Sequence, residues 1–313
     1  MSLPLGGLWP PLATPFSANG EIDLSLLIAH ASQLLAEGAD GLTLLGTTGE
    51  ANSLSLRERR GLIEALAGAG LPPARMLVGT GGCAIEDVVE LSRLAGDLCC
   101  AGVLIMPPFY YKKIVDEGLF TFYARLIEQL GANPPRILLY HIPQVAGVGL
   151  SLELIGKLRE AFPEILVGIK DSSGDLAHAK AIIASFPGFK VFVGTERDAI
   201  EAMRAGASGV ISGAGNINAA ASARLLAARE APEASAWLED INQTRAVLSR
   251  YGNIEAVKAI LAVRYGDQAW AMPRPPLLPL SPAARQALYA EEHIAKLLAS
   301  NLPGPRLPGP REA

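Results

Sequence analysis

The fold class of this protein can be inferred from residues 136–170, which read RILLYHIPQVAGVGLSLELIGKLREAFPEILVGIK. Two short apolar runs, at 136–140 and 165–170, lie on either side of an amphipathic stretch from Ser151 to Ala161. Short, continuously apolar runs are typical of strands that are buried on both faces, as in a parallel sheet. The segment therefore predicts one strand–helix–strand unit of an α/β protein.

The same unit recurs over most of the chain. Six further apolar runs are GLWPPLA (7–13), GLTLL (41–45), RMLVG (75–79), GVLIM (102–106), KVFVG (190–194) and GVIS (209–212). The other helix-like segments are 23–37, 55–67, 85–95, 115–130, 175–185, 197–205 and 217–228. Eight such units are the number that closes a (β/α)8 TIM barrel. An open doubly wound sheet would need a glycine-rich turn after its first strand; this chain has ATPFSANGE there, so we predict the barrel.

The strand signal disappears after the eighth unit, which suggests three regions. Residues 1–228 are predicted to form the barrel, and residues 229–300 a C-terminal helical appendage with helices over 232–251, 253–265 and 281–300. Residues 301–313, NLPGPRLPGPREA, form a Pro/Gly-rich tail that we expect to be disordered.

Composition excludes several classes of function. The 313 residues carry 27 Lys+Arg against 31 Asp+Glu, so no basic surface for nucleic acid or an anionic membrane is expected. Outside the proline-rich N-terminus, no uncharged stretch reaches the ~20 residues that span a bilayer, and the apolar one from Leu98 to Tyr111 has 14. Cys83, Cys99 and Cys100 lack disulfide or metal-ligand spacing, so we expect a cytoplasmic protein with no metal site.

Lys170 is the most informative single residue. Active sites of such barrels lie at the C-terminal ends of the strands, and Lys170 is the only one of eight lysines that closes an apolar run there. Apolar surroundings favour the neutral amine, which can attack a ketone and form a Schiff base. The alternative from position alone is a structural lysine that reaches solvent or pairs with Asp171 or another carboxylate.

Two other strand ends offer polar groups to the same mouth. Tyr140 closes the fifth run, and its phenol could move protons at the substrate oxygen and the carbinolamine of a Schiff-base mechanism, although a lone tyrosine is more often structural. The turn GTTGE (46–50) offers hydroxyl and backbone N–H groups that could hold a carboxylate. Its Glu50 is expected to favour the start of the next helix, and His141 to be structural.

The motifs GTTGE, PPFYY (107–111), YHIP (140–143) and GIKDSSGD (168–175), in this order and spacing, resemble the dihydrodipicolinate synthase/N-acetylneuraminate lyase family. The resemblance covers about residues 8–280. It implies a class I lyase that handles pyruvate or another small 2-keto acid without any cofactor. It also implies the barrel with a C-terminal helical segment and a homotetramer built as a dimer of dimers.

The resemblance also implies roles for individual residues. Lys170 matches the Schiff-base lysine, and Tyr140 matches the general acid/base. The remaining matches are Thr47 and Thr48, which bind the carboxylate and relay protons; Tyr110 or Tyr111, one of which reaches a neighbouring subunit's site across the tight interface; and Gly194 and Ile211, whose backbone lines the pocket.

One departure from the family pattern bears on the substrate. Synthases that make dihydrodipicolinate carry an arginine two residues after the proline of YxxP, and this chain has Val145 there. A valine cannot pair with a carboxylate. The sequence therefore favours aldol cleavage, condensation or dehydration of a 2-keto-3-deoxy sugar acid or similar hydroxy-keto acid. The alternatives are 4-hydroxy-tetrahydrodipicolinate synthase and a non-catalytic keto-acid-binding protein.

Overall fold

A computed structural model describes residues 5–300, and an eight-stranded parallel sheet lies at its centre. The strands are β1 (Gly7–Leu8), β2 (Leu42–Leu44), β3 (Met76–Gly79), β4 (Gly102–Ile105), β5 (Ile137–His141), β6 (Leu166–Asp171), β7 (Lys190–Val193) and β8 (Gly209–Val210). Each strand pairs with the next in chain order from β2 to β8, and β8 pairs with β1. Hydrogen bonds of 2.9 Å from Thr43 N to Pro10 O and from Leu12 N to Thr43 O close the ring. The predicted (β/α)8 TIM barrel is confirmed.

Helices follow the strands as the sequence pattern predicts. Those of the barrel are α1 (Leu24–Ala36), α2 (Leu56–Gly68), α3 (Ile85–Asp97), α4 (Asp116–Leu130), α5 (Pro143–Ala146), α6 (Leu152–Ala161), α7 (Leu176–Ser185), α8 (Ala199–Arg204) and α9 (Gly215–Ala227). The short α5 was not predicted. The C-terminal helices are α10 (Ala234–Tyr251), α11 (Asn253–Tyr265), α12 (Pro282–Ala290) and α13 (Glu292–Ser300). The single helix expected over 281–300 is interrupted at Glu291, whose backbone is extended.

The strands are buried on both faces, which explains their continuous apolar runs. Inside the ring, a cluster that includes Leu77, Leu138 and Phe192 fills the barrel. Outside it, a larger cluster fills the layer between strands and helices. Among the helices of residues 5–300, none combines the length and apolar character needed to cross a membrane.

The C-terminal helices share a core with the mouth of the barrel. Ala13 and Ala214, which follow β1 and β8, pack in one cluster with Val257 and Ile260 of α11 and with Trp270. The division at residue 228 stays a prediction, because the appendage and the barrel share this core. The tail expected over 301–313 lies outside the described residues.

His30 ties α1 to this junction through a buried hydrogen-bond chain. The amide nitrogen of Asn216 donates to Pro11 O and Gly213 O, so its Oδ1 accepts from His30 Nε2 at 2.9 Å. The other ring nitrogen, Nδ1, then accepts from the Tyr265 hydroxyl at 2.9 Å. Burial lowers the pKa of His30 from 6.5 to about 4. The ring is therefore neutral in the folded protein at physiological pH.

This geometry predicts a loss of stability in mild acid. His30 binds a proton below about pH 6.5 in the unfolded chain, but only below about pH 4 in the folded chain. The free energy of unfolding therefore falls as pH falls across that window. The expected loss is about 3 kcal/mol by pH 4. Urea unfolding of the wild type and of His30→Gln at several pH values measures it.

The matched control is His293→Gln, which changes a histidine on α13 that pairs with the exposed Asp240. We expect His293→Gln to keep the loss of stability between pH 6.5 and 4, and His30→Gln to show a smaller one. An equal loss in the wild type and His30→Gln would place the acid sensitivity elsewhere.

Candidate active site

Lys170 lies inside the mouth of the barrel. It pairs in register with Tyr140 of β5 and with Phe192 of β7, and neighbouring residues at one level of a parallel sheet point to the same face. The Lys170 side chain is buried, and its Nζ lies 4.2 Å from the centroid of the Tyr140 ring. Within residues 5–300, no carboxylate oxygen lies within 4.0 Å of Nζ, so the alternative of a lysine in a structural ion pair does not hold.

Asp171 points the other way, because successive side chains of a strand alternate between its faces. Its carboxylate accepts from His178 Nδ1 at 2.8 Å and from the N–H and hydroxyl of Ser173 at 2.9 and 2.7 Å. Although burial acts to raise it, these bonds hold the pKa of Asp171 below its usual value. Asp171 thus anchors the loop after β6 instead of neutralising Lys170.

His141 joins this outer cluster and does not line the mouth. Its Nδ1 accepts from Leu150 N at 3.0 Å, and its ring stacks on that of His178 at a centroid distance of 4.6 Å. Burial lowers the pKa of His141, whereas the bond to Asp171 raises that of His178. Ligand atoms of the three side chains lie within 4.8 Å of one another. Sequence spacing missed this group because it lies on β5, β6 and α7, but its hydrogen bonds already engage Asp171 and one nitrogen of each imidazole.

The Tyr140 hydroxyl connects Lys170 to the GTTGE turn. It lies 3.4 Å from Thr47 Oγ1, within hydrogen-bond reach. Burial alone would raise the pKa of the phenol, but the positive charge of Lys170 and hydrogen bonds with Thr47, Lys170 and Ser172 leave it below its ordinary value. A phenol with a lowered pKa exchanges its proton more readily, so Tyr140 is suited to proton transfer.

The GTTGE turn is anchored to the protein interior by its own Glu50. Glu50 has a left-handed backbone (φ 56°), and its buried carboxylate accepts from Lys258 Nζ at 2.6 Å and from Arg274 N at 2.7 Å. The expectation that Glu50 favours the start of α2 is therefore wrong, because the turn directs this side chain into the interior. Gly49 is required here: a Cβ would lie 2.7 Å from Leu12 O.

One cavity of about 410 Å³ collects most of the predicted site residues. Those that line it are Lys170, Tyr140, Thr47, Thr48, Gly194 and Ile211. Gly194 lets the wall pass close to Ser172, since a Cβ there would lie 2.3 Å from the Ser172 hydroxyl oxygen. Val145, on α5, lines the edge of the cavity and is 60% exposed. These residues are far apart in the sequence, and the barrel brings them to one place.

Tyr110 and Tyr111 do not reach this cavity within the chain. Each is 73% exposed, and their rings meet edge to face with centroids 5.2 Å apart. The role inferred for one of them, in a neighbouring subunit's site, stays a prediction.

Sequence reasoning missed the contribution of the C-terminal helices to the cavity. Arg245 of α10 and Asn253 and Glu255 of α11 line it as well. The spacing of Arg245 from Ile241 and Leu248 gives a usable signal, because residues at i, i+4 and i+7 share one helix face. An arginine on an otherwise apolar face indicates a buried polar partner or a binding site.

The chain is similar to proteins of one family over nearly its whole length. The model of the dihydrodipicolinate synthetase family matches residues 4–294. A DapA-like lyase of uncharacterised function from Chloroflexus aurantiacus is 34% identical over 91% of this chain and 95% of its own. A dihydrodipicolinate synthase structure from Agrobacterium tumefaciens superposes with a TM-score of 0.86 at 34% identity, covering 93% of this chain and 99% of that one.

A more distant structure shares the fold alone. A variant of the 2-keto-3-deoxygluconate aldolase from Sulfolobus solfataricus superposes with a TM-score of 0.82 at 21% identity. The superposition covers 94% of this chain and 97% of the aldolase.

Proposed function

The chain belongs to the dihydrodipicolinate synthetase family of Schiff-base-forming lyases, and on that premise we propose that Lys170 forms the Schiff base with pyruvate or another 2-keto acid. The observation that carries the proposal is the placement of Lys170, Tyr140 and Thr47 around one cavity at the mouth of the barrel. The substrate class we favour is a 2-keto-3-deoxy sugar acid or a similar hydroxy-keto acid.

The first step joins the Lys170 amine to the ketone carbon. The amine attacks this carbon to give a carbinolamine, and loss of the former ketone oxygen as water leaves a protonated imine. The Tyr140 phenol donates the proton that the departing hydroxyl needs. The protonated imine withdraws electrons from the adjacent carbon, so the reaction needs neither a metal nor an organic cofactor.

The second step uses this electron sink. In aldol cleavage, a base takes the proton of the hydroxyl on the fourth carbon, the bond between the third and fourth carbons breaks, and its electron pair forms an enamine. Tyr140, connected to Thr47, is suited to accept that proton. In dehydration, the third carbon loses a proton and the fourth loses hydroxide, so water leaves and no carbon–carbon bond breaks. Thr47 and Thr48 offer hydroxyl groups to the substrate carboxylate.

Three observations bear on substrate and assembly. Val145 leaves the position after YxxP without a cation, which disfavours aspartate semialdehyde and hence 4-hydroxy-tetrahydrodipicolinate synthase activity. The Sulfolobus aldolase that shares the fold takes its name from a 2-keto-3-deoxy acid. The exposure of Tyr110 and Tyr111 is compatible with a homotetramer in which one of them completes a neighbour's site.

Borohydride trapping tests the proposed chemistry. Borohydride delivers hydride to the imine and converts it to a stable secondary amine, so pyruvate should add mass to the peptide that contains Lys170. A protein that yields no pyruvate-dependent adduct would contradict the proposal. Turnover assays with 2-keto-3-deoxy sugar acids and with pyruvate plus aspartate semialdehyde then separate the activities. Efficient use of the semialdehyde would reverse our choice, and adduct formation without any turnover would indicate a keto-acid-binding protein.

A further inference from the structure

The cavity contains a second cation, which comes from the C-terminal appendage. Arg245 lies on the face of α10 that also carries the buried Ile241 and Leu248. Its side chain is 30% exposed, and both Arg245 and Leu248 line the cavity that holds Lys170. A guanidinium on a wall of the reaction cavity is positioned to meet whatever Lys170 binds.

Neighbouring side chains hold Arg245 in place but accept hydrogen bonds from few of its N–H groups. Its Nη1 donates to Ser212 Oγ at 3.4 Å and lies 3.8 Å from Glu196 Oε2. The buried Glu196 already accepts from the hydroxyls of Ser212 at 2.6 Å and Ser222 at 3.5 Å. Within residues 5–300, no other side-chain nitrogen of Arg245 donates a hydrogen bond. An arginine has five N–H donors, so most remain available to a ligand.

The charge of the cavity suits a ligand that is anionic at both ends. On the barrel side, Lys170 and the GTTGE hydroxyls meet the keto-acid end. On the side formed by α10 and α11, the ionic side chains are Arg245 and Glu255. Glu255 lies at the start of α11, and its carboxylate is close to Gly252, since a Cβ on that glycine would be 2.6 Å from Oε2. A carboxylate is favoured at this position, because the N-terminus of a helix carries partial positive charge. Arg245 is therefore the group that can take a second carboxylate, and the planar guanidinium fits one with two parallel hydrogen bonds.

We propose that Arg245 binds the distal carboxylate of a 2-keto diacid whose ketone reacts with Lys170. The inference rests on the proposed function and narrows its substrate class, 2-keto-3-deoxy sugar acids and similar hydroxy-keto acids, to the members with a carboxylate at both ends. A cavity of about 410 Å³ is within the usual range for small-molecule sites, which begins near 300 Å³.

A matched pair of keto acids tests Arg245 without knowledge of the natural substrate. 2-Ketoadipate and 2-ketohexanoate both have six carbons and a 2-keto acid end, and they differ in the distal carboxylate. We expect 2-ketoadipate to half-saturate borohydride trapping of the wild type at a concentration at least about tenfold lower than 2-ketohexanoate does, because charged hydrogen bonds are worth that factor or more. Arg245→Met should bring the ratio close to one, and because it removes the cation nearest the buried Glu196, a circular dichroism melt of the variant checks that the fold persists.

Arg250→Met serves as the control for Arg245→Met. Arg250→Met removes an exposed arginine of the same helix that pairs with Glu291 outside the cavity, and it should keep the wild-type ratio. A wild type that traps pyruvate but shows a ratio near one, or an Arg245→Met variant that keeps the full ratio, would overturn the role of Arg245 alone. A wild type that traps no pyruvate would overturn the proposed function, and the role of Arg245 with it.

Discussion

Replacement of Lys170 by methionine is expected to abolish the pyruvate adduct and to lower kcat/KM by about 10⁴-fold or more, the scale seen when an enzyme loses its nucleophile. Methionine has a similar length, and Lys170 has no carboxylate partner within residues 5–300 to leave uncompensated, so the fold should persist. Mass spectrometry after borohydride treatment and steady-state kinetics measure the two effects.

Lys190→Met provides the matched control. Lys190 is exposed and opens β7, so it lies at the opposite end of the barrel from the cavity. This variant should form the adduct and turn over substrate as the wild type does. If Lys170→Met formed a pyruvate adduct at wild-type yield, the nucleophile would have to be another lysine and the assignment would fail.

Replacement of Lys258 by methionine is expected to destabilise the protein by about 3–5 kcal/mol, the scale for breaking a buried ion pair by removing one partner. The side chains of Lys258 and Glu50 are 0% and 1% exposed, and their N–O distance is 2.6 Å. Without Lys258, the Glu50 carboxylate keeps only the Arg274 N–H, and the carbonyl of Thr14 loses its bond to Nζ. Urea unfolding at neutral pH measures the change.

Two further variants make this prediction specific. Glu50→Gln combined with Lys258→Met removes the uncompensated charge and should recover part of the lost stability, so the two changes are not additive. Lys296→Met breaks an exposed pair with Glu292 and should leave the stability close to that of the wild type. A Lys258→Met variant as stable as Lys296→Met would show that the buried pair contributes little.

The Lys258–Glu50 pair also connects stability to the site. Glu50 ends the turn that carries Thr47 and Thr48, and Lys258 belongs to α11, one wall of the same cavity. The appendage therefore supports the barrel mouth as well as covering it. The sequence did contain a clue, since Lys258 interrupts the buried run from Ala256 to Leu261. Its partner could not be identified, because Glu50 lies 208 residues away along the chain.

The barrel and its principal site residues were predictable because the signals are local. A strand buried on both faces must be apolar along its length, and a helix that covers it must be amphipathic, so the alternation of the two patterns indicates eight units. The end of a strand is also visible in the sequence. The positions of Lys170 and Tyr140 at one edge of the sheet followed from that, and register adds that they are direct neighbours.

The partners of the charged groups, in contrast, could not be predicted from the sequence. Local pattern left open whether Lys170 pairs with Asp171, and strand alternation in the folded sheet separates them. The local pattern also placed Arg245 and Lys258 on helices, but it did not show which other elements those helices contact. Periodicity along the chain reports which side of an element is buried, and it determined the fold class and the mouth where chemistry takes place. Which cation pairs with which anion depends on how distant elements pack. Only the tertiary structure, in which the appendage packs on the mouth of the barrel, determined these pairs.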